Sequence, residues 1–344
     1  MENTITDLFH RHGVLASAVE RYGISSDEVT LIGGFQNFVY EYERNGRACI
    51  LRITPGSRRT VGAVKAELEW IRYLVSHGIS ASMPIPSAAG EWAEVIVTAE
   101  MFFTAVSFEK ASGQKVNYPA CLDDDALYEA LGRITGNMHA LSKKYKPEDS
   151  SICRLEWRQN DYLKDIDILP PTHQRVKENY SMMVEKLNQL PTDRDAYGLI
   201  HGDMGVGNFV IDGAGRITLF DFDEAQYSWF VEDIAIQLYY LVYVYGGDDG
   251  RTLREDQARR FMRSFMKGYS LENTLSEQDL KQIPLFLMLR ELIVYIGSFR
   301  NYDGDETFGS SDNQWFKDWI AESRIRLENN VPIVDIWSSC DSSF

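Results

Sequence analysis

A carboxylate, a carboxamide and a second carboxylate stand close together in LIHGDMGVGNFVIDGAGRITLFDFDEAQ, residues 199–226, as Asp203, Asn208 and Asp221. Residues 208–211 and 216–220 have the apolar, β-branched character of short strands, and Asp212-Gly213-Ala214-Gly215 between them is a turn signal of hairpin length. An antiparallel hairpin sets Asn208 opposite or nearly opposite Asp221, with Cβ atoms roughly 5 Å apart if they pair directly. A carbonyl oxygen and a carboxylate then converge at the open end. Hard cations such as Mg2+ take such oxygen ligands, commonly one or two from protein, completed by substrate phosphates and water. Asp203 precedes Asn208 by five positions, in the loop that feeds the same end. A carboxylate there suits the orientation of an incoming hydroxyl, and positioning with charge neutralisation is most of what phosphoryl transfer requires.

These residues need a scaffold, and the 344-residue chain, 44% hydrophobic, is long enough for about two domains or lobes. Residues 29–53 read as three strands, with a Gly-Gly turn at Gly33-Gly34 and an Asn45-Gly46 hairpin signal. VGAVKAELEWIRYLVSHG follows with helical spacing at Val64, Leu68 and Ile71 and a stop at Gly78. Two more strands are expected near 94–98 and 104–108. After Phe108 the small, turn-forming EKASGQKVNYP gives way to helical periodicity, beginning with Leu127, Leu131, Ile134, Met138 and Leu141 on one face. The boundary is placed there: a strand-rich first lobe, 1–108, and a helical second lobe, 109–344. Further helices are expected near 176–190, from 231, from 253, from 283 and over 315–327.

The formal net charge of −16 argues against general binding to nucleic-acid phosphates, which needs a basic face. Acid runs such as 123–125 and 303–306 read as solvated loops. Cys49, Cys121, Cys153 and Cys340 are far apart, with neither metal spacing nor a disulfide framework, which fits a reducing cytoplasm. The longest apolar run, residues 234–245, is about a dozen residues against the roughly 20 of a spanning helix, and the N-terminus lacks a signal-peptide core, so no membrane segment is expected.

His201-Gly202-Asp203 followed by Asn208, and then Asp221-Phe222-Asp223, resembles the catalytic loop and metal-binding segment of the aminoglycoside phosphotransferase and choline kinase superfamily, itself similar to protein kinases. The order of strand-rich lobe, linker and helical lobe matches as well. The resemblance implies an α+β, bilobal protein-kinase-like fold. It implies ATP as phosphoryl donor, Mg2+ held by Asn208 and Asp221, Asp203 as the catalytic carboxylate, and His201 as a brace for the loop. Asp233, in VEDIA, matches a family residue that holds this loop through its backbone, although an acid at a helix N-terminus is also favoured by the macrodipole. Asp223 and Glu224 stand where protein kinases have the Gly of D-F-G and are candidates for a second metal or for the substrate.

On the nucleotide side the resemblance places Gly33 and Gly34 over the phosphates and Arg52, in ACILRI, where the family usually has a phosphate-gripping Lys. Arg keeps the charge but is not interchangeable with Lys. Its expected partner is Glu67, with Glu69 as second choice, and Phe108-Glu109-Lys110-Ala111 resembles the hinge whose backbone meets adenine. The acceptor site is expected in the helical lobe, with Arg290, Glu291 and the aromatics Tyr240, Tyr295 and Trp315 as candidates. A charge in an apolar helix needs a partner or ligand. The implied activity is transfer to a hydroxyl of a small molecule such as an aminoglycoside, choline, homoserine or sugar. A protein Ser/Thr kinase is the first alternative, against which stands the lack of an A-P-E-ended activation segment. A nucleotide-binding regulator without transfer activity is the second. Arg52 keeps it open, and the complete Asp203, Asn208 and Asp221 set weighs against it.

Overall fold

The structure, a computed structural model, describes residues 3–25, 27–33, 36–247, 250–302, 307–308 and 311–337. Gly34, the acid run at 303–306 and Cys340 lie outside the described residues. Two helices open the chain, α1 (Asn3–Arg11) and α2 (Val14–Tyr22), and neither was expected from the pattern. They cover one face of a six-stranded antiparallel sheet built from β1 (Thr30–Gly33), β2 (Phe38–Arg44), β3 (Arg47–Pro55), β4 (Pro84–Ile85), β5 (Glu94–Val97) and β6 (Phe102–Glu109). Phe9 of α1 stacks on Phe38 with ring centroids 3.7 Å apart, and Tyr22 donates to the Ala105 carbonyl. The turn between β2 and β3 has positive φ at both Asn45 (54°) and Gly46 (75°), the backbone that two-residue hairpins select for.

The other face of the sheet receives α3 (Val61–Ser76), whose first turn is capped by Thr60 accepting from the Ala63 N–H at 3.1 Å. Its apolar stripe, Val64, Leu68, Trp70, Ile71 and Leu74, joins the core of the helical lobe rather than closing off a separate one. The chain crosses over after β6. Its next strand, β7 (Gln114–Lys115), pairs with β9 (Phe209–Ile211), which also pairs with β10 (Ile217–Leu219). A two-stranded ribbon, β8 (Tyr197–Ile200) with β11 (Gln226–Trp229), flanks this hairpin.

Around these strands pack α4 (Asp125–Ser142), the one-turn α5 (Asp161–Lys164), α6 (Gln174–Asn188), α7 (Phe230–Val242), α8 (Gly250–Tyr269), the short α9 (Glu277–Leu280), α10 (Ile283–Asn301) and α11 (Gln314–Asn329). Helices α4 and α8 touch through glycines. A Cβ on Gly132 would lie 1.9 Å from the Phe265 carbonyl oxygen, and one on Gly268 the same distance from that of Glu129. The stretch Glu277–Asn301 is apolar and long enough to span a membrane by composition alone, but 78% of its apolar window is buried inside the protein, as in a core helix. The result is a strand-rich N-terminal sheet over a helical C-terminal lobe, an α+β bilobal kinase-like fold.

Candidate active site

The hairpin carrying Asn208 and Asp221 forms, with its register offset by one from direct pairing. Three residues separate Asp212 from Arg216, whose backbones bond at 3.1 Å, and Gly215 takes φ 78°. This closure pairs Ile211 with Ile217 and Phe209 with Leu219, so Asn208 accepts from the Phe220 N–H at 3.0 Å. Asp221 is the next residue, and its φ of 63° breaks the side-to-side alternation of the strand. A non-glycine residue in the left-handed region costs about 1–2 kcal/mol and marks a position held there by its surroundings.

Asp203 sits in a loop fastened from several directions. His201 accepts the Asp203 N–H on Nδ1 (3.3 Å) and donates from Nε2 to the Phe220 carbonyl (3.2 Å), tying the loop to the strand that ends at Asp221. Those two bonds require the neutral imidazole, and burial pushes its pKa down, against the pull of Asp233. Asp233, at the start of α7, accepts from the His201 and Gly202 backbone N–H groups at 2.9 and 2.8 Å and from His139 Nε2 at 3.2 Å. Burial alone would raise its carboxyl; those donors hold it below the usual range. Gly202 is required between them, because its φ is 79° and a Cβ would stand 2.2 Å from the Glu224 carbonyl oxygen. Asn208 Nδ2 donates to the Asp203 carbonyl (2.7 Å) and to its Oδ2 (2.9 Å).

Two cavities meet here. One of about 260 Å3 runs under the sheet and is lined by Val39, Ile50, Arg52, Glu67, Phe108 and Asp221. The other, about 500 Å3, is lined by Asp203, Asp221, Tyr240 and the Arg290, Ile293 and Ser298 face of α10. Asp221, Ile32, Asn37 and Val39 belong to both walls. Arg52 pairs with Glu67, not Glu69, which instead accepts from Tyr145 and from the Glu148 N–H. The Arg52 guanidinium also lies 4.0 Å from Asp221. The Asp221 carboxyl is pushed up to about 7, first by its shielding from water and then by Asp223, yet 53% of the side chain stays open to the cleft.

Oxygen donors and a carboxylate open to the cleft fit a hard divalent cation. Asn208 spends its N–H on Asp203, which leaves its carbonyl oxygen, and Asp221 is open to the cleft. Among the described residues no group of three or more His, Cys, Asp or Glu could hold a metal by itself, so such a cation would need phosphate oxygens as well.

Other expected residues are placed differently. Asp223 and Glu224 line the larger cavity but are committed to arginines, not open to a metal. Arg58 Nε reaches Asp223 at 2.9 Å and Arg58 Nη2 reaches Glu224 at 2.7 Å, while Arg59 approaches both at 3.4 and 3.2 Å. Burial alone would raise the Asp223 carboxyl; Arg58 and Arg59 hold it well below the usual range. Tyr295 is wholly buried beside His173 and does not line the cleft, because it falls on the core side of α10. Trp315 packs on Tyr243, and Tyr240 already carries the Arg290 guanidinium 5.0 Å over its ring, so these candidate aromatics do not combine into a cage. Glu291 is spent on Arg326 (2.7 Å) and Ser323 (2.8 Å). In the hinge segment the Glu109 N–H is donated to Met83 and the Lys110 N–H to Ala48, while the Lys110 side chain pairs with Glu41. These two N–H groups are therefore not available to adenine; Ala111 also lines the smaller cavity. Gly33 ends β1 at the cleft wall.

Arg58, Arg59, Arg154 and His139 were not singled out from the sequence. The Arg58-Arg59 pair, three residues past the end of β3, is the signal the sequence offers.

The chain is similar to known proteins over most of its length. Residues 28–269 match the phosphotransferase enzyme family model, designated APH. The amicoumacin kinase of Bacillus subtilis (strain 168) is 38% identical over 333 residues, 96% of this chain and 95% of that protein. The solved structure of amicoumacin kinase hAmiN in complex with AMP-PNP, Ca2+ and Ami superposes with a TM-score of 0.87 at 33% identity, covering 97% of this chain and 98% of the other. A choline kinase from Streptococcus pneumoniae shares the fold, with a TM-score of 0.60 at 12% identity over 93% and 99% of the two chains. With a family match spanning the sheet, the loop of Asp203 and most of the helical lobe, this chain belongs to the phosphotransferase enzyme family.

Proposed function

We propose that the chain transfers the γ-phosphoryl group of ATP to a hydroxyl of amicoumacin or a closely similar small molecule, with a divalent cation, Mg2+ in the ordinary case. The observation that carries the reading is that Asp221, the one carboxylate among the residues common to both cavity walls, stands between the Arg52 and Glu67 pair of one and Asp203 of the other. Nucleotide and acceptor would meet at that residue. The choice of acceptor is supported by the amicoumacin kinase relative, similar over nearly the whole of both chains.

In this reading ATP lies under the sheet with its phosphates toward Arg52, whose guanidinium Glu67 holds in place. Asn208 and Asp221 would hold the cation, which neutralises charge on the phosphates. Asp203 accepts the hydrogen bond of the acceptor hydroxyl and aims its oxygen at the γ-phosphorus. As the new O–P bond forms, the bond to the β,γ-bridging oxygen breaks and its electron pair leaves with ADP. The hydroxyl proton passes to an Asp203 carboxylate oxygen and then to solvent.

The test measures ATP consumption and product mass with amicoumacin beside aminopropanol, choline and spectinomycin. A phosphorylated amicoumacin is the expected product, and transfer only to one of the others would overturn the choice of acceptor. Asp203→Asn should keep its Mg2+-dependent affinity for AMP-PNP while its rate falls on the order of 10²- to 10⁴-fold. An unchanged rate in that variant would remove Asp203 from the reaction.

A further inference from the structure

Arg290 stands in the middle of α10 with 7% of its surface exposed, on a helix whose neighbouring residues are almost all apolar. A guanidinium withdrawn from water in this way needs anionic and hydrogen-bonding partners. The adjacent Glu291 does not supply them, since it is bound to Arg326 and Ser323. Arg290 instead reaches out of the helix bundle, and its Nη2 donates to Asp203 Oδ1 and to the Tyr240 hydroxyl. The Tyr240 ring lies under the guanidinium and against the catalytic loop, a fit that depends on Gly205, where a Cβ would stand 2.8 Å from the ring.

Asp203 is thus held at both oxygens, Oδ1 by Arg290 and Oδ2 by Asn208. Each oxygen keeps lone-pair capacity for an acceptor hydroxyl, but the rotamer is fixed before substrate arrives. Charge points the same way. Asp203, Asp221, Asp223 and Glu224 all line the larger cavity, and Arg58, also in its wall, is spent on Asp223 and Glu224. A bare Asp203 would repel an arriving phosphoryl group, and Arg290 is the cation in contact with it.

We propose that Arg290 is a positioning residue for transfer: it fixes the Asp203 carboxylate for the acceptor hydroxyl and offsets its charge against the phosphoryl group. The proposal rests on the role given to Asp203 above. Arg290 acts through Asp203, so its loss should appear in kcat and leave nucleotide binding alone.

The experiment uses the full chain with Mg2+ and ATP, scoring transfer to amicoumacin and to water, with AMP-PNP affinity read by calorimetry. Arg290→Gln should lower kcat on the order of 10²-fold, the scale of a misplaced catalytic group, with AMP-PNP affinity within about twofold of wild type. Arg290→Lys should keep part of the rate. Guanidinium ion added at millimolar concentration should restore part of the rate of Arg290→Ala, which a purely structural role would not allow. Tyr240→Phe, which keeps the ring and removes one partner of Arg290, should lose about tenfold at most. The inference is overturned if Arg290→Gln matches the wild-type kcat, or if its rate and AMP-PNP affinity fall together and guanidinium restores nothing. A wild-type protein that transfers phosphate to none of amicoumacin, aminopropanol, choline, spectinomycin and water would instead overturn the proposed function, on which this inference rests.

Discussion

Arg52 and Glu67 meet through two parallel hydrogen bonds, Nη1 to Oε1 at 2.9 Å and Nη2 to Oε2 at 2.7 Å, both side chains almost fully buried. The pair joins β3 to α3, and the same guanidinium faces Asp221 and lies 5.3 Å from the centre of the Phe108 ring. A fork fixed on one side by a carboxylate and open toward the cleft is suited to phosphate on the other.

Removing either partner should weaken the hold on phosphate and leave a buried charge unpaired. Arg52→Ala should raise KM for ATP roughly ten- to a hundredfold, the equivalent of about 1.5–3 kcal/mol for hydrogen bonds to a charged group. Lys at the same position keeps the charge but not the fork, and should fall between. Glu67→Ala strands a buried guanidinium and Arg52→Ala a buried carboxylate, so each should also destabilise the fold by about 3–5 kcal/mol. Urea unfolding beside ATP kinetics separates the two. An Arg52→Ala enzyme with wild-type KM would remove the clamp, and a Glu67→Ala protein of unchanged stability would contradict the burial of the pair.

A second prediction concerns the arginines of the loop between β3 and α3. Arg58 and Arg59 cross to Asp223, two residues past Asp221, and Arg154 donates to the Asp223 and Ala225 carbonyls from the other side. This cluster fastens the sheet to the segment that carries Asp221. Asp223→Asn should leave buried guanidinium groups without their carboxylate and cost about 3–5 kcal/mol. Glu224 is 19% exposed at its side chain and shares the same arginines, so Glu224→Gln should cost less. Chemical denaturation of both variants checks the order, and equal losses would show that burial does not govern the cluster.

How much of this the sequence makes legible follows from the range of each interaction. Asn45-Gly46, Gly78, and the Asp203, Asn208 and Asp221 spacing are local patterns, set by turn geometry over a few residues, and all point to the elements observed. Partnerships across the fold leave no such trace. Arg58 and Asp223 are 165 positions apart, and nothing near either names the other. On α10 the periodicity is silent for a physical reason: nearly every face is buried, so the sequence does not distinguish Tyr295, in the core, from Arg290, at the cleft. The hinge shows the same limit, because the Glu109 and Lys110 N–H groups are consumed by Met83 and Ala48, pairings decided by sheet register.

The last prediction tests a buried acid outside the reacting groups. Glu232, in the first turn of α7, is 2% exposed; its Oε1 accepts from Gln226 at 3.2 Å and its Oε2 from the Ser228 hydroxyl. Its carboxyl is pushed up to about 7, first by burial and then by the neighbouring Asp233, while Ser228, Arg290 and Gln226 oppose the shift. In the unfolded chain it titrates near 4.3. Between those values the folded state binds the proton and the unfolded state does not. The protonated group's contribution to stability is therefore complete below about pH 4 and lost as pH rises through 7. Glu232→Gln stays neutral throughout, so it should be more stable than wild type at pH 8, by on the order of 1–3 kcal/mol, and no more stable at pH 4.5. KM for ATP should not change, since Glu232 lines neither cavity. Urea midpoints of the two proteins at both pH values decide it: a difference that does not vary with pH would mean that Glu232 is not held protonated by the fold.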